Sequence, residues 1–266
     1  WGSLTGIRPT LVAKQCGFDS KLLQEKFFVR QDKARLAVET SLAETRILET
    51  VSKDKLNVYV GVPFCPSRCA YCSFIAMDAV KHLDKLPAYA DALCKEISEI
   101  GSAIRESGKQ IGTIYFGGGT PTVFDEDNFA KVMSAIKTYL VANNEDELEF
   151  TVEAGRPDTI TLAKLQAMKI SGVKRICINP QTMCDETLAR YNRKHTVADV
   201  VKVFEFARSL GFEINMDLIA GLNEDMPEEL LESIDKLCDL KPENSTIHTI
   251  YKKRRAALSR AEVLGD

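Results

Sequence analysis

No stretch of this sequence approaches 18 unbroken apolar residues, so nothing in it reads as a bilayer-spanning segment. The start has no basic stretch followed by an apolar run, so no secretory signal is expected. A charge excess is missing as well: 35 Lys and Arg against 38 Asp and Glu leave a net charge of −3. That balance carries no electrostatic footprint for nucleic acid or an anionic membrane surface. There is no low-complexity tract and no long repeat. The sequence opens on Trp1 rather than Met, and the expectation is that an upstream portion is missing. What is present is ordinary for a water-soluble globular chain, 45% hydrophobic and 27% charged. The 266 residues fit one large α/β domain with a small appendage.

Eight cysteines occur. Without a secretory signal a disulfide framework is not expected, and a reducing, cytoplasmic setting is. Cys16, Cys94, Cys177, Cys184 and Cys238 are scattered and read as small buried hydrophobes. The other three, Cys65, Cys69 and Cys72, form a C-x₃-C-x₂-C pattern in VGVPFCPSRCAYCSF (60–74). Such a trio points to metal or redox work. It can bind zinc with a distant fourth ligand, or three irons of a [4Fe–4S] cluster. His82 is the nearest further ligand candidate, but lysines flank it and a surface histidine is the plainer reading. A corner without a protein ligand leaves room for an outside one, and open coordination marks catalytic metal sites.

Residues 1–50 carry apolar residues at helical spacing and read as a helical N-terminal segment, with Asp19 or Ser20 as a cap. From residue 51 onward the rhythm is that of a second domain. Strands are expected at 57–62, 111–117, 147–154, 173–179, 212–220 and 245–250. Helices are expected near 84–107, 126–142, 161–170, 184–210 with a break, and 227–239, with Asp125, Thr159 and Pro227 as starts. Strands alternating with helices imply parallel pairing through right-handed crossovers. The expected fold is α/β, a partial (β/α)6 TIM-like barrel, with a doubly wound open sheet as the alternative.

Every unusual motif follows a strand, where a parallel sheet gathers function. The cysteine loop follows the first and GGGTPT (117–122) the second. Glycines there let backbone approach a ligand closely, and the run lacks both the G-x-G-x-x-G spacing and the lysine of a phosphate loop. Glu153 ends the third strand, Gln181 follows the fourth, Asp217 lies in the fifth and His248 on the sixth. A carboxylate in the apolar run INMDLIAG needs partners if buried, so Asp217 reads as ligand-facing. RYNRKHT, with Arg193, reads as a break between helices. Phe74 reads as packing.

C-x₃-C-x₂-C after one strand and GGGTP after the next resemble the radical S-adenosylmethionine superfamily. YVGVPFCPSRCAYCSF, YFGGGTPT, TVEAGRPDT, Gln181, RYNRKHT and MDLIAGL together resemble its oxygen-independent coproporphyrinogen III oxidase family, over about 57–250. The lead-in LTGIRPT and the ending STIHTIYKKRRAALSRAE resemble a coproporphyrinogen dehydrogenase branch.

The resemblance implies a radical SAM core with a [4Fe–4S] cluster on Cys65, Cys69 and Cys72. It implies S-adenosylmethionine chelated at the vacant iron and cleaved to a 5′-deoxyadenosyl radical. Tyr59 is implied as a catalytic tyrosine near both cofactors, and Tyr71 as an aromatic against the nucleoside. Gly118, Gly119 and Thr120 are implied at the methionine part, with Glu153, Gln181, Arg193 and Asp217 around the ligand. The implied substrate is coproporphyrinogen III, two propionates of which become vinyl groups. The implied electron donor is a protein such as a flavodoxin or ferredoxin. For a tetra-anionic substrate Arg156, Arg175, Arg193, Lys194 and the KKRR run at 252–255 are candidate anchors. Gly61 stands where many family members carry histidine. The family also holds haem chaperones, so a shared core does not fix the reaction.

Overall fold

A computed structural model describes residues 1–4, 8–52, 54–74, 77–142, 148–223, 226–250 and 256. The KKRR run and the centre of LTGIRPT lie outside the described residues, as does the expected strand start at residue 147. The chain divides into two compact units, Trp1–Lys55 and Leu56–Asp266.

The first unit holds three helices, α1 (Pro9–Gln15), α2 (Ser20–Phe27) and α3 (Gln31–Thr50). Pro9 opens α1 at a position where its missing N–H costs nothing. Asp19 caps α2 by accepting from the Lys21 and Leu22 amides at 2.8 and 3.2 Å. Leu4, Val12, Leu23, Val29 and Ala34 form its core.

The second unit is built on strands β1 (Lys55–Val62), β4 (Gln110–Gly118), β5 (Glu149–Gly155), β6 (Arg175–Gln181), β7 (Glu213–Ala220) and β8 (Asn244–Thr249), paired in that order in one sheet. The ladders from β4 through β8 are all parallel. Two further short strands, β2 (Phe64–Cys65) and β3 (Met77–Asp78), form a parallel bridge that closes the cysteine loop. No periodicity announces this bridge, because a two-residue strand has none to show. Helices α4 (Leu86–Glu106), α5 (Glu126–Ile136), α6 (Leu162–Ile170), α7 (Asp185–Arg190), α8 (Val197–Ser209) and α9 (Glu228–Leu240) alternate with the long strands. The architecture is a partial parallel α/β barrel.

The period-two alternation of the strands sorts their side chains. Ile114, Phe116, Phe150, Val152, Ile176, Ile178, Ile214 and Met216 are essentially inaccessible and join one core with Phe129, Met133, Leu165 and Phe204 of the helices. Each such fully buried side chain contributes about 1.5–3 kcal/mol relative to exposure. The opposite, inner face is polar. Thr113 donates to Asn57 at 2.8 Å, and Arg175 bridges Glu149 at 2.9 Å and Glu213 at 3.2 Å.

Two element boundaries differ from the sequence expectation. The helix read over 126–142 ends at Ile136 and continues as a π-helical turn, Lys137–Val141, before Ala142 turns to φ 47°. The cap of α6 is Thr161, which accepts from the Lys164 amide at 3.3 Å, rather than Thr159. Thr159 sits in a preceding 3-10 turn, and its hydroxyl is within 2.6 Å of the Thr122 hydroxyl. Among the described residues no helix is long and apolar enough to cross a membrane.

Candidate functional site

The cysteine loop leaves β1 and is tied down from a distance. Ser67 donates to the Asn192 carbonyl at 3.0 Å, Asn192 donates back to the Arg68 carbonyl at 2.9 Å, and the Ala70 amide reaches the Tyr191 carbonyl at 3.2 Å. The RYNRKHT turn is therefore the floor of the loop, not a solvated break. Asn192 adopts φ 58°, a left-handed conformation that asparagine tolerates. Cys65, Cys69 and Cys72 line one cavity of about 230 Å³ with Ser67, Arg68, Phe74, Met77, Asp78 and Lys81. His82 lies in a 3-10 turn and is not part of that lining.

Burial pushes the Cys65 and Cys72 thiols up, and their like-charged neighbours add to it. Opposing this are a Thr120 hydrogen bond at Cys65 and the positive charge of Arg156 at both. A metal charge stabilises thiolates against such a rise. Among the described residues no three His, Cys, Asp or Glu side chains are grouped tightly enough to hold a single metal ion. The thiols instead surround a cavity, which suits a polynuclear cluster whose irons each take one thiolate.

The glycine loop is packed directly on β1 and β2. A Cβ at Gly118 would lie 2.6 Å from the Val62 carbonyl oxygen, and one at Gly119 would lie 2.5 Å from that of Phe64 and 3.0 Å from Cys65 Sγ. Gly118 also has φ +113°. The Gly119 amide donates to the Val62 carbonyl at 2.6 Å. Bare backbone is thus required by the cysteine strand itself, whatever ligand also approaches. Thr122 donates to the Ala154 carbonyl at 2.8 Å, and the buried Lys164 ammonium donates to the Thr122 carbonyl at 2.7 Å and the Thr159 carbonyl at 2.9 Å. These bonds lock GGGTPT onto the end of β5.

Glu153 lies at that end. Burial raises its carboxyl, and Asp217 adds to the rise; the Gly118 amide and the Tyr115 hydroxyl hold it down. Asp217 accepts from Asn215 at 2.8 Å, and His248 Nε2 is 3.9 Å from its other oxygen. Cys177, between these carboxylates, is pushed up to about 12 by burial first and then by Asp217 and Glu153. It is a packed thiol, as its scattered position implied. Tyr59 stacks on Tyr115 with ring centroids 5.9 Å apart, is 62% exposed, and does not line the thiol cavity.

Gln181 adopts φ 73°, and both its Oε1 and Asn179 Oδ1 are buried without a partner. Buried acceptors are normally satisfied. These two orphans lie on β6, the strand between those that carry Glu153 and Asp217, and form a donor-seeking edge, which fits a ligand bearing an ammonium, a sulfonium and hydroxyls. Arg193, buried, donates to the Tyr71 hydroxyl at 3.1 Å and to the Asn179 carbonyl, and lies 3.6 Å from Cys69 Sγ. Tyr71 is held between Arg193 and the Tyr191 ring, at 5.6 Å, so the structure turns it inward rather than toward an open face.

Three of the candidate substrate anchors are engaged by the protein itself. Arg156 points into the cysteine loop, Arg193 lies beneath it, and Arg175 is taken by two glutamates. Sequence reasoning missed Ser67, Tyr115 and His195. Only Tyr115 carried a signal, since it alternates with Ile114 and Phe116 and so must share a face with Glu153.

The sequence matches the family described as the radical SAM superfamily over residues 59–236. The oxygen-independent coproporphyrinogen-III oxidase-like protein HemZ of Bacillus subtilis is 37% identical, over 98% of this chain and 54% of its own length. Heme chaperone HemW of the same organism is 33% identical, over 73% of this chain and 50% of its own. The solved coproporphyrinogen III oxidase (HemN) of Escherichia coli shares the fold with a TM-score of 0.62 at 21% identity, covering 84% of this chain and 55% of that one. The chain thus spans about half the length of the curated relatives it matches. Superfamily members use a [4Fe–4S] cluster and S-adenosylmethionine, the pair that the thiol cavity and the donor-seeking edge fit. On the strength of the match across most of its length and of this site, the chain belongs to the radical S-adenosylmethionine superfamily.

Proposed function

We propose that this chain is the core of an oxygen-independent coproporphyrinogen III oxidase or dehydrogenase, which converts two propionates of coproporphyrinogen III to vinyl groups and yields protoporphyrinogen IX. The observation that carries the reading is the gathering of three thiols, the glycine loop and Glu153 at one sheet edge, in a chain of which 98% aligns with HemZ. When bound, the cluster and S-adenosylmethionine supply an electron and a hydrogen-abstracting carbon radical.

The residues present have separable parts to play. Cys65, Cys69 and Cys72 hold the cluster. Glu153 and Asp217 accept from the cationic and hydroxyl groups of the cofactor, aided by the orphaned Asn179 and Gln181 oxygens. Gly118, Gly119 and Thr120 form the wall on which its methionine part rests. Tyr59, stacked on Tyr115, is the candidate catalytic hydroxyl, tied through Tyr115 to Glu153. The inner face carries Glu149, Glu153, Glu213 and Asp217 against Arg175, so it repels propionates. Carboxylates of the substrate belong instead at the rim of the thiol cavity, where Arg68 and Lys81 lie.

A second reading, a haem chaperone, is favoured by the 33% identity to HemW and by Gly61 in place of the histidine. Anaerobic incubation of the full-length protein with reductant, S-adenosylmethionine and coproporphyrinogen III separates the two. The oxidase reading expects vinyl product together with 5′-deoxyadenosine. Tight haem binding with no vinyl product would reject it in favour of the chaperone.

A further inference from the structure

Arg156, like Arg193, is a buried cation in the cysteine region. It follows β5, is 4% exposed, and has a guanidinium whose every nitrogen is engaged. Nη1 lies 3.0 Å from Cys69 Sγ, Nη2 donates to Ser67 Oγ at 2.6 Å, and Nε is 3.4 Å from Asp158 Oδ1. The Cys69 sulfur here stands for the thiolate that would hold an iron. Asp158 is shared: His195 Nδ1, fully buried, is 3.6 Å from the same oxygen. Burial would raise the Asp158 carboxyl, but His195 and Arg156 overcome this and hold it at about 2. Asp158 thus stays ionised and fixes the guanidinium from behind.

Asp158 pairs only with Nε of this buried guanidinium, so Nη1 and Nη2 face a thiol and a hydroxyl with no anionic partner of their own. Beside an anionic cluster thiolate the guanidinium is well compensated. The arrangement therefore makes sense as a site for negative charge at Cys69. Reduction of a cluster adds one negative charge. A fixed N–H donor and a buried positive charge at one sulfur favour the reduced form, and hydrogen bonding to the sulfurs is among the factors that set cluster potentials.

We propose that Arg156 is a positioning residue for the cluster: it clamps Cys69 through the Ser67 hydroxyl and raises the potential at which the cluster takes its electron from an external low-potential reductant. This rests on the superfamily's cluster and not on the tetrapyrrole reading, so either can fail without the other.

The test is an anaerobic redox titration of the full-length, reconstituted protein, with dithionite as reductant, followed by electron paramagnetic resonance, alongside iron and sulfide counts. Arg156→Gln is expected to keep its iron and to lower the reduced-to-oxidised ratio at fixed potential about tenfold, equivalent to about 59 mV for a one-electron couple. Arg156→Lys keeps a charge but cannot span both Cys69 and Ser67, so its potential should fall between the two. A wild-type potential in Arg156→Gln with full iron overturns the proposal. If that variant binds no iron, Arg156→Lys decides: a potential below wild type supports the clamp, and an unchanged one overturns it.

Discussion

Gly119 and Phe64 are in contact through backbone alone: the Cβ that Gly119 lacks would sit 2.5 Å from the Phe64 carbonyl oxygen. The strand that carries Cys65 and the loop after β4 are therefore interlocked. Gly119→Ala should cost about 1–3 kcal/mol, the range for overpacking a tight contact. It should also shift Cys65 enough to lower iron retention. Urea unfolding of the apoprotein and iron content after reconstitution measure both, and wild-type values for the two would refute the interlock.

The three thiols that share a cavity should act as a set. Replacing Cys65, Cys69 or Cys72 singly by Ser should abolish the visible absorption of the reconstituted protein. Cys238 is exposed and far along the chain on α9, so Cys238→Ser should leave it intact. Equal loss from all four variants would point to general misfolding instead of ligation.

The role proposed for Glu153 links cofactor affinity to pH. A charged hydrogen bond is worth about 1.5–3 kcal/mol, so Glu153→Gln should weaken S-adenosylmethionine binding about tenfold to a hundredfold. The sign for stability is opposite. Burial raises this carboxyl, so its ionisation opposes folding. Its stabilising contribution is present below the ordinary carboxylate range and is lost as pH rises through the raised value. Between about pH 4 and pH 7 the apoprotein with Gln should lose less melting temperature than wild type. A steeper loss in the variant would contradict the assignment.

Two arginines give a contrast. Arg193 is buried and bonded to Tyr71 and Asn179, so Arg193→Ala should destabilise by on the order of 3 kcal/mol and weaken cofactor binding. Arg175 is partly exposed between Glu149 and Glu213. Arg175→Gln should cost under about 1 kcal/mol and leave affinity for a tetrapyrrole unchanged. A large loss of porphyrinogen binding in Arg175→Gln would restore its reading as a propionate anchor.

Much of this molecule is legible in one dimension. The strand at 212–220 is visible from alternation, a cap at Asp19 or Ser20 from its place before an apolar helix, and the cysteine loop from the spacing of Cys65, Cys69 and Cys72. Each signal lies within a dozen residues. The destinations of Arg156, Arg193 and Asn192 are not visible in this way. Ser67 and Asn192 are 125 residues apart, and Arg156 and Cys69 are 87 apart. A charged side chain in a turn looks the same in sequence whether it faces water or a sulfur.

The alternating strands and helices and the thiol spacing are thus readable along the chain, because backbone periodicity and local hydrogen bonding act over a few residues. That the RYNRKHT turn floors the cysteine loop and that Arg156 meets Cys69 emerges only from the folded arrangement. Those contacts depend on the parallel order that brings the ends of β1, β5 and β6 to one edge, and only that order makes a buried guanidinium there compensated rather than costly.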